Sequence, residues 1–436
     1  MQRFCYFAIY ALLALPVALS AGSTASERDY LIALYVHLHK HPELSFQEQE
    51  TSARMALELE HAGFQVTTGV GGHGVVAVLE NGAGPVLMLR SDMDALPVQE
   101  QTGLPYASSV LATQDDGTEV PVMHACGHDV HMTVLVGTAR ALAASRDTWH
   151  GTLVLIAQPA EERGAGARLM LADGLFKRFP QPDYNLALHA SAELPAGKIG
   201  YTRGYAMANV DSVDIDVRGI GGHGAYPHKT KDPVVLAAEL ILQLQTIVSR
   251  EISPLESAVI TVGSIHGGSK HNIIGDSVKL QLTVRSYSDE TRDYLLRRIR
   301  EISLGLARTT GLPEELLPEV IIRDEYTPSV YNDPALTDQA VAVLKAQLGE
   351  QNVLAVPPVM AGEDFARYGR TEPPVPSLLF WLGTVDPERY SVAMEEGEAL
   401  PGLHSPLFTP LPAPSIETGV RAFTALARSL LAPASS

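Results

Sequence analysis

Cysteine is nearly missing from this chain: Cys5 and Cys126 are the only two in 436 residues. Cys5 lies at the front of an N-terminal apolar run and would leave with it, so Cys126 has no partner. A disulfide-stapled fold is excluded. Charge is also low, at 19% of residues, and basic residues are in the minority, with 32 Lys and Arg against 50 Asp and Glu. The formal net charge of −18 excludes a general affinity for nucleic acid or anionic membrane. It leaves room for a local basic site that takes an anionic small molecule. Internal repeats and low-complexity segments are absent, and past the N-terminus no stretch reads as long and apolar enough to cross a bilayer.

What is present begins with a 46% hydrophobic composition, that of an ordinary globular protein, and a length that suits two domains. Arg3 is followed by an apolar run over 4–19, broken only by Pro16, and then by the small residues Ser20-Ala21-Gly22-Ser23-Thr24-Ala25. That is the layout of an export signal cleaved after Ala21 or Ala25. Residues 1–25 are therefore expected to be a signal peptide. The mature protein is expected to be exported, periplasmic or secreted, with no membrane attachment once the signal is removed.

Along the chain, 27–63 reads as two helical segments around His41-Pro42-Glu43. Buried strands follow at 75–79 and 86–89, joined by a Gly- and Pro-containing turn; the second runs into Arg90-Ser91-Asp92-Met93-Asp94. A helix over 130–144 leads to a strand at 153–157 that ends in Gln158-Pro159-Ala160-Glu161-Glu162. A short strand at 186–188 ends in His189. Alternating apolar strands and helices predict an α/β fold, with a mixed, mostly parallel sheet flanked by helices. Ligands bind such sheets beyond the C-terminal strand ends, where Asp92, Asp94, Glu161, Glu162 and His189 would converge.

From about 210 the pattern changes. Strands at 213–217, 258–265, 278–284 and 318–322 and helices at 232–249 and 289–307 follow the order of a ferredoxin-like α+β unit. The expected organisation is a catalytic domain over 27–208 and 324–436, with an inserted domain over 209–323. Helices at 334–348 and 416–431 and a strand at 378–383 complete the catalytic part, and 393–400 reads as an acidic loop.

The densest chemistry lies in His124-Ala125-Cys126-Gly127-His128-Asp129-Val130-His131. A thiolate and an imidazole are both good ligands for zinc, and the intervening glycine permits a tight path that turns both to one side. The positive N-terminal end of the following helix would favour the thiolate. Glu161 and Glu162 suit a metal hydrolase, one binding metal while the other activates water. Taken alone, the pair also reads as solvated, and His189 and His404 as core or loop histidines.

Together these motifs resemble one family closely. His39-Lys40-His41-Pro42-Glu43-Leu44, Asp92-Met93-Asp94-Ala95-Leu96-Pro97, Thr102-Gly103-Leu104-Pro105-Tyr106 and residues 124–131 all fit. So do 158–162, Gly221-Gly222-His223, Gly362-Glu363-Asp364-Phe365 and Leu403-His404-Ser405-Pro406. The family is the metallopeptidases and amidohydrolases of aminoacylase and carboxypeptidase G type. The branch is that of hippurate hydrolases, auxin-conjugate (indoleacetyl–amino acid) hydrolases and N-acyl-amino-acid amidohydrolases, and the resemblance runs from about His37 to Phe408.

The resemblance implies a zinc-exopeptidase-like fold and two divalent metal ions held by Cys126, His128, Glu162, His189 and His404. Thiolate with imidazole suits zinc, nickel or cobalt, and carboxylate with imidazole admits manganese. It implies Glu161 as general base, Asp94 as an orienting carboxylate, and His223 as a stabiliser of the oxyanion, often supplied by a neighbouring subunit. Asn272 and Arg285 would hold the substrate carboxylate. His124 and His131 are left to ligand support or helix packing. The inserted domain would close over the substrate and mediate homodimer formation. Gly275 and Gly224 depart from the branch, which commonly has proline and alanine there. The expected activity is hydrolysis of N-acyl amino acids by metal-activated water. The alternatives are a broader dipeptidase or carboxypeptidase, or an exported binding protein for small carboxylates.

Overall fold

The structure, a computed structural model, describes residues 25–324 and 326–432. All of the expected signal segment except Ala25 lies outside them. The larger body is built on an eight-stranded sheet. Its order is Gln65–Val70, Gly74–Asn81, Gly151–Gln158, Val86–Asp92, Tyr184–Pro195, Ser377–Val385, Ile199–Tyr201 and Val353–Ala355. The four central strands run parallel, and antiparallel strands flank them. Ser377–Val385 is buried along its whole length, as its unbroken apolar run requires of a strand covered on both faces.

Side-chain alternation splits the core in two. Val75, Ala77, Leu87 and Leu89 pack with residues of helices Ala25–Lys40, His128–Ala143 and Pro412–Leu430. Val76 and Met88 face the other side, against Met170, Phe365 and Tyr368. This two-residue period fixes which strand-end side chains reach the crevice.

Between residues 209 and 322 a second sheet forms, four antiparallel strands in the order Ala258–Gly267, Ser277–Ser286, Asn209–Arg218 and Glu319–Ile322. Helices Pro233–Thr246 and Asp289–Thr309 share its core, in which Val213, Ile215 and Val217 alternate inward. Each helix has a side-chain cap, from Asp232 and Ser288. The α/β fold with an inserted ferredoxin-like α+β unit is thus observed.

Four local expectations are corrected. The strands at 74–81 and 86–92 follow one another in sequence but do not pair, because Gly151–Gln158 lies between them. The strand expected at 186–188 extends over Tyr184–Pro195, so His189 stands inside it and not past its end. The first half of the expected acidic loop belongs to helix Pro387–Glu396, started by an Asp386 cap and Pro387. One later segment does reach bilayer length: Pro233–Glu251 has a mean hydropathy of 1.2. Its inward residues Leu236, Ala237, Leu240 and Leu244 pack in the core of the second sheet, while Val234, Val235 and Leu242 are exposed.

Candidate metal centre

Two strand ends and the start of one helix build the site. Val86–Asp92 delivers Asp92 and then Asp94, Gly151–Gln158 leads into the Glu161-Glu162 turn, and helix His128–Ala143 begins at His128. Gly127 precedes that helix with φ 83°, a left-handed conformation that glycine adopts without the usual side-chain clash. The turn after Pro159 is also left-handed, at Ala160 with φ 50°, where an L residue is strained. Asp94 holds the turn: its two oxygens accept the backbone N–H groups of Glu161 at 3.1 Å and Glu162 at 3.0 Å, and the Ser45 hydroxyl at 2.6 Å.

Cys126 stands at the middle. His189 Nε2 lies 3.5 Å and His404 Nε2 3.2 Å from its sulfur. Donor atoms of Cys126, His128 and His189 fall within 4.8 Å of one another, and so do those of Cys126, Glu162 and His404. The thiol is the one group common to both triads. His128 donates from Nδ1 to the Asp94 carbonyl at 2.7 Å, which fixes its tautomer and leaves Nε2 as the available donor atom. That Nε2 and Glu162 Oε1 are buried without a hydrogen-bond partner, an arrangement that bound cations would satisfy. Thiolate, imidazole and carboxylate around two triads with a shared sulfur fit two divalent cations of borderline softness. Two features mark His404 as specially placed: its backbone is left-handed, φ 65°, and its N–H donates to the Ala125 carbonyl at 2.8 Å.

The charges around the triads are strongly perturbed. Burial opposes protonation of His128, but Asp92, Asp94 and Glu162 overcome it and raise its pKa to about 10. Burial pushes Glu162 up to about 7, with His128 pulling the other way. Burial and then the carboxylates of Glu162, Glu161 and Asp92 hold the Cys126 thiol well above its ordinary value. Burial and these carboxylates oppose the expected thiolate, and positive charge among the donors would favour it.

Glu161 lies against a different set. Burial and then Glu363, Glu162 and Asp364 raise it well above the carboxylate range, against the pull of Arg90. Arg90 is itself fully buried, donating to Asp92 at 2.6 Å, Glu363 at 2.8 Å, Asp364 at 3.2 Å and Gln158 at 3.1 Å. One guanidinium thus ties the 363–364 loop to the strand ends beside Glu161. His131 is spoken for: Asp92 receives its Nδ1–H at 2.6 Å, and its Nε2 accepts the Ala190 N–H at 2.7 Å. His124 is buried with both ring nitrogens unpartnered, and burial holds its pKa near 4.

A second buried pair stands behind the helix. His39 meets Asp129 at 2.7 Å and Glu100 at 3.2 Å. Burial alone would lower the His39 pKa; Asp129 and Glu100 raise it from 6.5 to about 9. A raised folded-state value contributes stability that is complete below about pH 6.5 and lost as pH rises through about 9. The melting temperature is therefore expected to fall by several degrees across that window, and more steeply than in His39→Gln. Parallel pH profiles for the two proteins would exclude this contribution.

Residues 88–427 match the family described as Peptidase family M20/M25/M40. The chain belongs to this family. It is 38% identical over 368 residues to the N-acetylcysteine deacetylase of Bacillus subtilis (strain 168), covering 83% of this chain and 90% of that protein. It is 39% identical over 333 residues to the hippurate hydrolase of Campylobacter jejuni, covering 75% and 82%. The solved Bacillus subtilis YXEP protein, described as a dinuclear metal binding peptidase from the M20 family, superposes with a TM-score of 0.77 at 31% identity. That match covers 94% of this chain and 99% of that one. Membership makes this chain an amidohydrolase-type enzyme.

The remaining site residues of this M20/M25/M40 chain lie on the inserted unit. His223 is exposed on a two-residue strand paired with Ile273–Ile274, and Asn272, also exposed, accepts the Gly224 N–H through its carbonyl. Among the described contacts none joins either residue to the cluster around Cys126. Arg285 is half-buried and donates to the Met360 carbonyl at 2.5 Å, two residues before the 362–365 motif. Sequence reasoning placed Asp92 at the crevice without a specific task, and gave no role to Glu48, Arg90, Gln158, Glu363 or Asp364. Their common signal was polar residues at or beside strand ends and helix starts, legible only once distant segments were brought together.

Proposed function

We propose that this enzyme hydrolyses the amide bond of N-acyl amino acids, using two divalent cations held by Cys126, His128, Glu162, His189 and His404. The observation that carries the reading is the Cys126 sulfur shared by two donor triads, with Glu161 beside His128 and Glu162. Divalent cations in that centre would supply Lewis acidity toward the amide carbonyl and an acidified water. Glu161 takes a proton from the attacking water and delivers it to the amine nitrogen as the C–N bond breaks, so that the neutral amine leaves. Glu161 belongs to neither Cys126 triad, which leaves its carboxylate to carry the proton in both steps. Asp94 orients the base through the backbone N–H groups of the Glu161-Glu162 turn.

Arg285 is the receptor for the substrate carboxylate, with Asn272 beside it, since a guanidinium can bind a carboxylate through two parallel hydrogen bonds. His223 donates to the developing oxyanion. Because His223 and Asn272 are exposed in one chain, we propose a homodimer in which the neighbour's inserted unit supplies them. The apolar run and small residues near the N-terminus support an exported enzyme, periplasmic or secreted. The named relatives favour N-acetyl and N-benzoyl amino acids as the first substrates to try.

A panel of acyl-glycines, acyl-aromatic amino acids and dipeptides, run on metal-reconstituted protein, tests the reading. Release of the amino acid from the acyl compounds, with dipeptides poor, is expected. Preference for dipeptides would move the enzyme to the peptidases of the family. Mixing a His223→Ala protein with a base-deficient Glu161→Ala protein should restore activity in hybrid dimers; no recovery after subunit exchange would sink the shared site.

A further inference from the structure

Helix Gln49–His61 begins with a division of labour between two glutamates. Glu48 occupies its N-cap position, yet its side chain makes no cap hydrogen bond. Glu43 does that work instead, accepting from the N–H groups of Glu50 at 3.1 Å and Thr51 at 2.7 Å. The Glu48 carboxylate is thereby free to turn inward. It is fully buried, and Oε1 accepts the N–H of Ala160 at 2.7 Å, a contact spanning 112 residues of sequence. Its other oxygen is buried without a partner. Burying a carboxylate in this way is costly, and a purely structural helix start has no use for it.

Ala160 is the strained residue from which Glu161 and Glu162 project. Three consecutive N–H groups, of residues 160, 161 and 162, each end on a carboxylate oxygen. Asp94 takes the second and third, and Glu48 takes the first. The loop bearing Glu48 is strained too, with Phe46 at φ 69°, and Ser45 ties it to Asp94. Strain on both sides of one hydrogen bond needs the surrounding contacts to hold it.

We propose that Glu48 is a positioning residue for the base, fixing the Ala160 turn so that the Glu161 carboxylate keeps its place beside the reacting water. The inference rests on the reading of Glu161 as base. It acts through the backbone, so an acceptor at Oε1 is the feature required, and the negative charge is not.

Glu48→Met keeps the packing volume and removes the acceptor without leaving an unpaired charge; Glu48→Gln keeps the acceptor. Two readouts are taken on the metal-loaded full chain: steady-state kinetics on an N-acyl amino acid, and amide hydrogen exchange of the peptide carrying 158–165. Glu48→Met is expected to lose about 10–100-fold in kcat with little change in KM, as a displaced catalytic group does, and to exchange faster at 160–162. Glu48→Gln is expected to restore most of both. Glu48→Met with wild-type kcat and exchange overturns the proposal, as does Glu48→Gln impaired equally with Glu48→Met. The exchange readout needs no substrate, so a wild-type protein inactive on N-acyl amino acids would count against the proposed reaction alone.

Discussion

Glu161→Ala loses about 10³-fold or more in kcat while still binding two cations per chain, because the base contributes roughly 10²–10⁴-fold and is not a member of either Cys126 triad. The carboxylate is 9% exposed and crowded by Glu363 and Asp364, whose charge Arg90 only partly balances. Truncation removes one carboxyl group from this crowded acidic cluster, so folding should not suffer as it would from loss of a lone ion-pair partner. Glu161→Gln should behave alike in rate, since it keeps size and hydrogen bonding but cannot carry the proton. Elemental analysis alongside kinetics separates loss of base from loss of metal. A fully active Glu161→Ala would remove Glu161 from the chemistry.

Cys126→Ala has the second large effect, and of a different kind. Its sulfur is the one donor common to both triads, so its removal leaves two histidines on one side and a Glu–His pair on the other. At least one of the two cations is expected to be lost and turnover with it, while the fold is kept, because a small apolar side chain replaces a small buried one. Cys126→Asp, which restores an anionic bridge of harder character, should recover metal binding in part and shift preference toward manganese. Unchanged metal content in Cys126→Ala would refute the thiolate ligand.

Much of the clustering at this candidate site was legible in the sequence because several of the proposed ligands are anchored by local grammar. An apolar strand running into Asp92, another running into Glu161-Glu162, and a Cys-Gly-His turn opening a helix each place a side chain at one edge of a parallel sheet. The resemblance then supplied His189 and His404, which spacing alone left as core or loop histidines. The local reading of His189 was too short, since the apolar pattern continues through Ala190 and Ala192 and the strand does not stop at the histidine. One partner of 74–81, the strand Gln65–Val70, is local, but the other, Gly151–Gln158, arrives far later in the chain and could not be read locally.

Supporting residues were hidden for a common physical reason. Glu48 looks like a helix cap, Arg90 like a strand-end charge, and Asp364 like a loop acid. Each gains its role from a partner more than 60 residues away. His223 and Asn272 stay exposed, and among the described contacts none joins them to the Cys126 cluster, while Arg285 reaches Met360 within the chain.

A binuclear centre that performs amide hydrolysis is the central expectation. Chelated protein titrated with manganese, zinc, nickel or cobalt, with bound metal and cleavage of an N-acyl amino acid followed together, tests it most directly. The account predicts binding that saturates at two cations per chain and activity that rises with site filling. Full turnover by the metal-free protein, or two bound cations with no amide cleaved across the substrate panel, would contradict it.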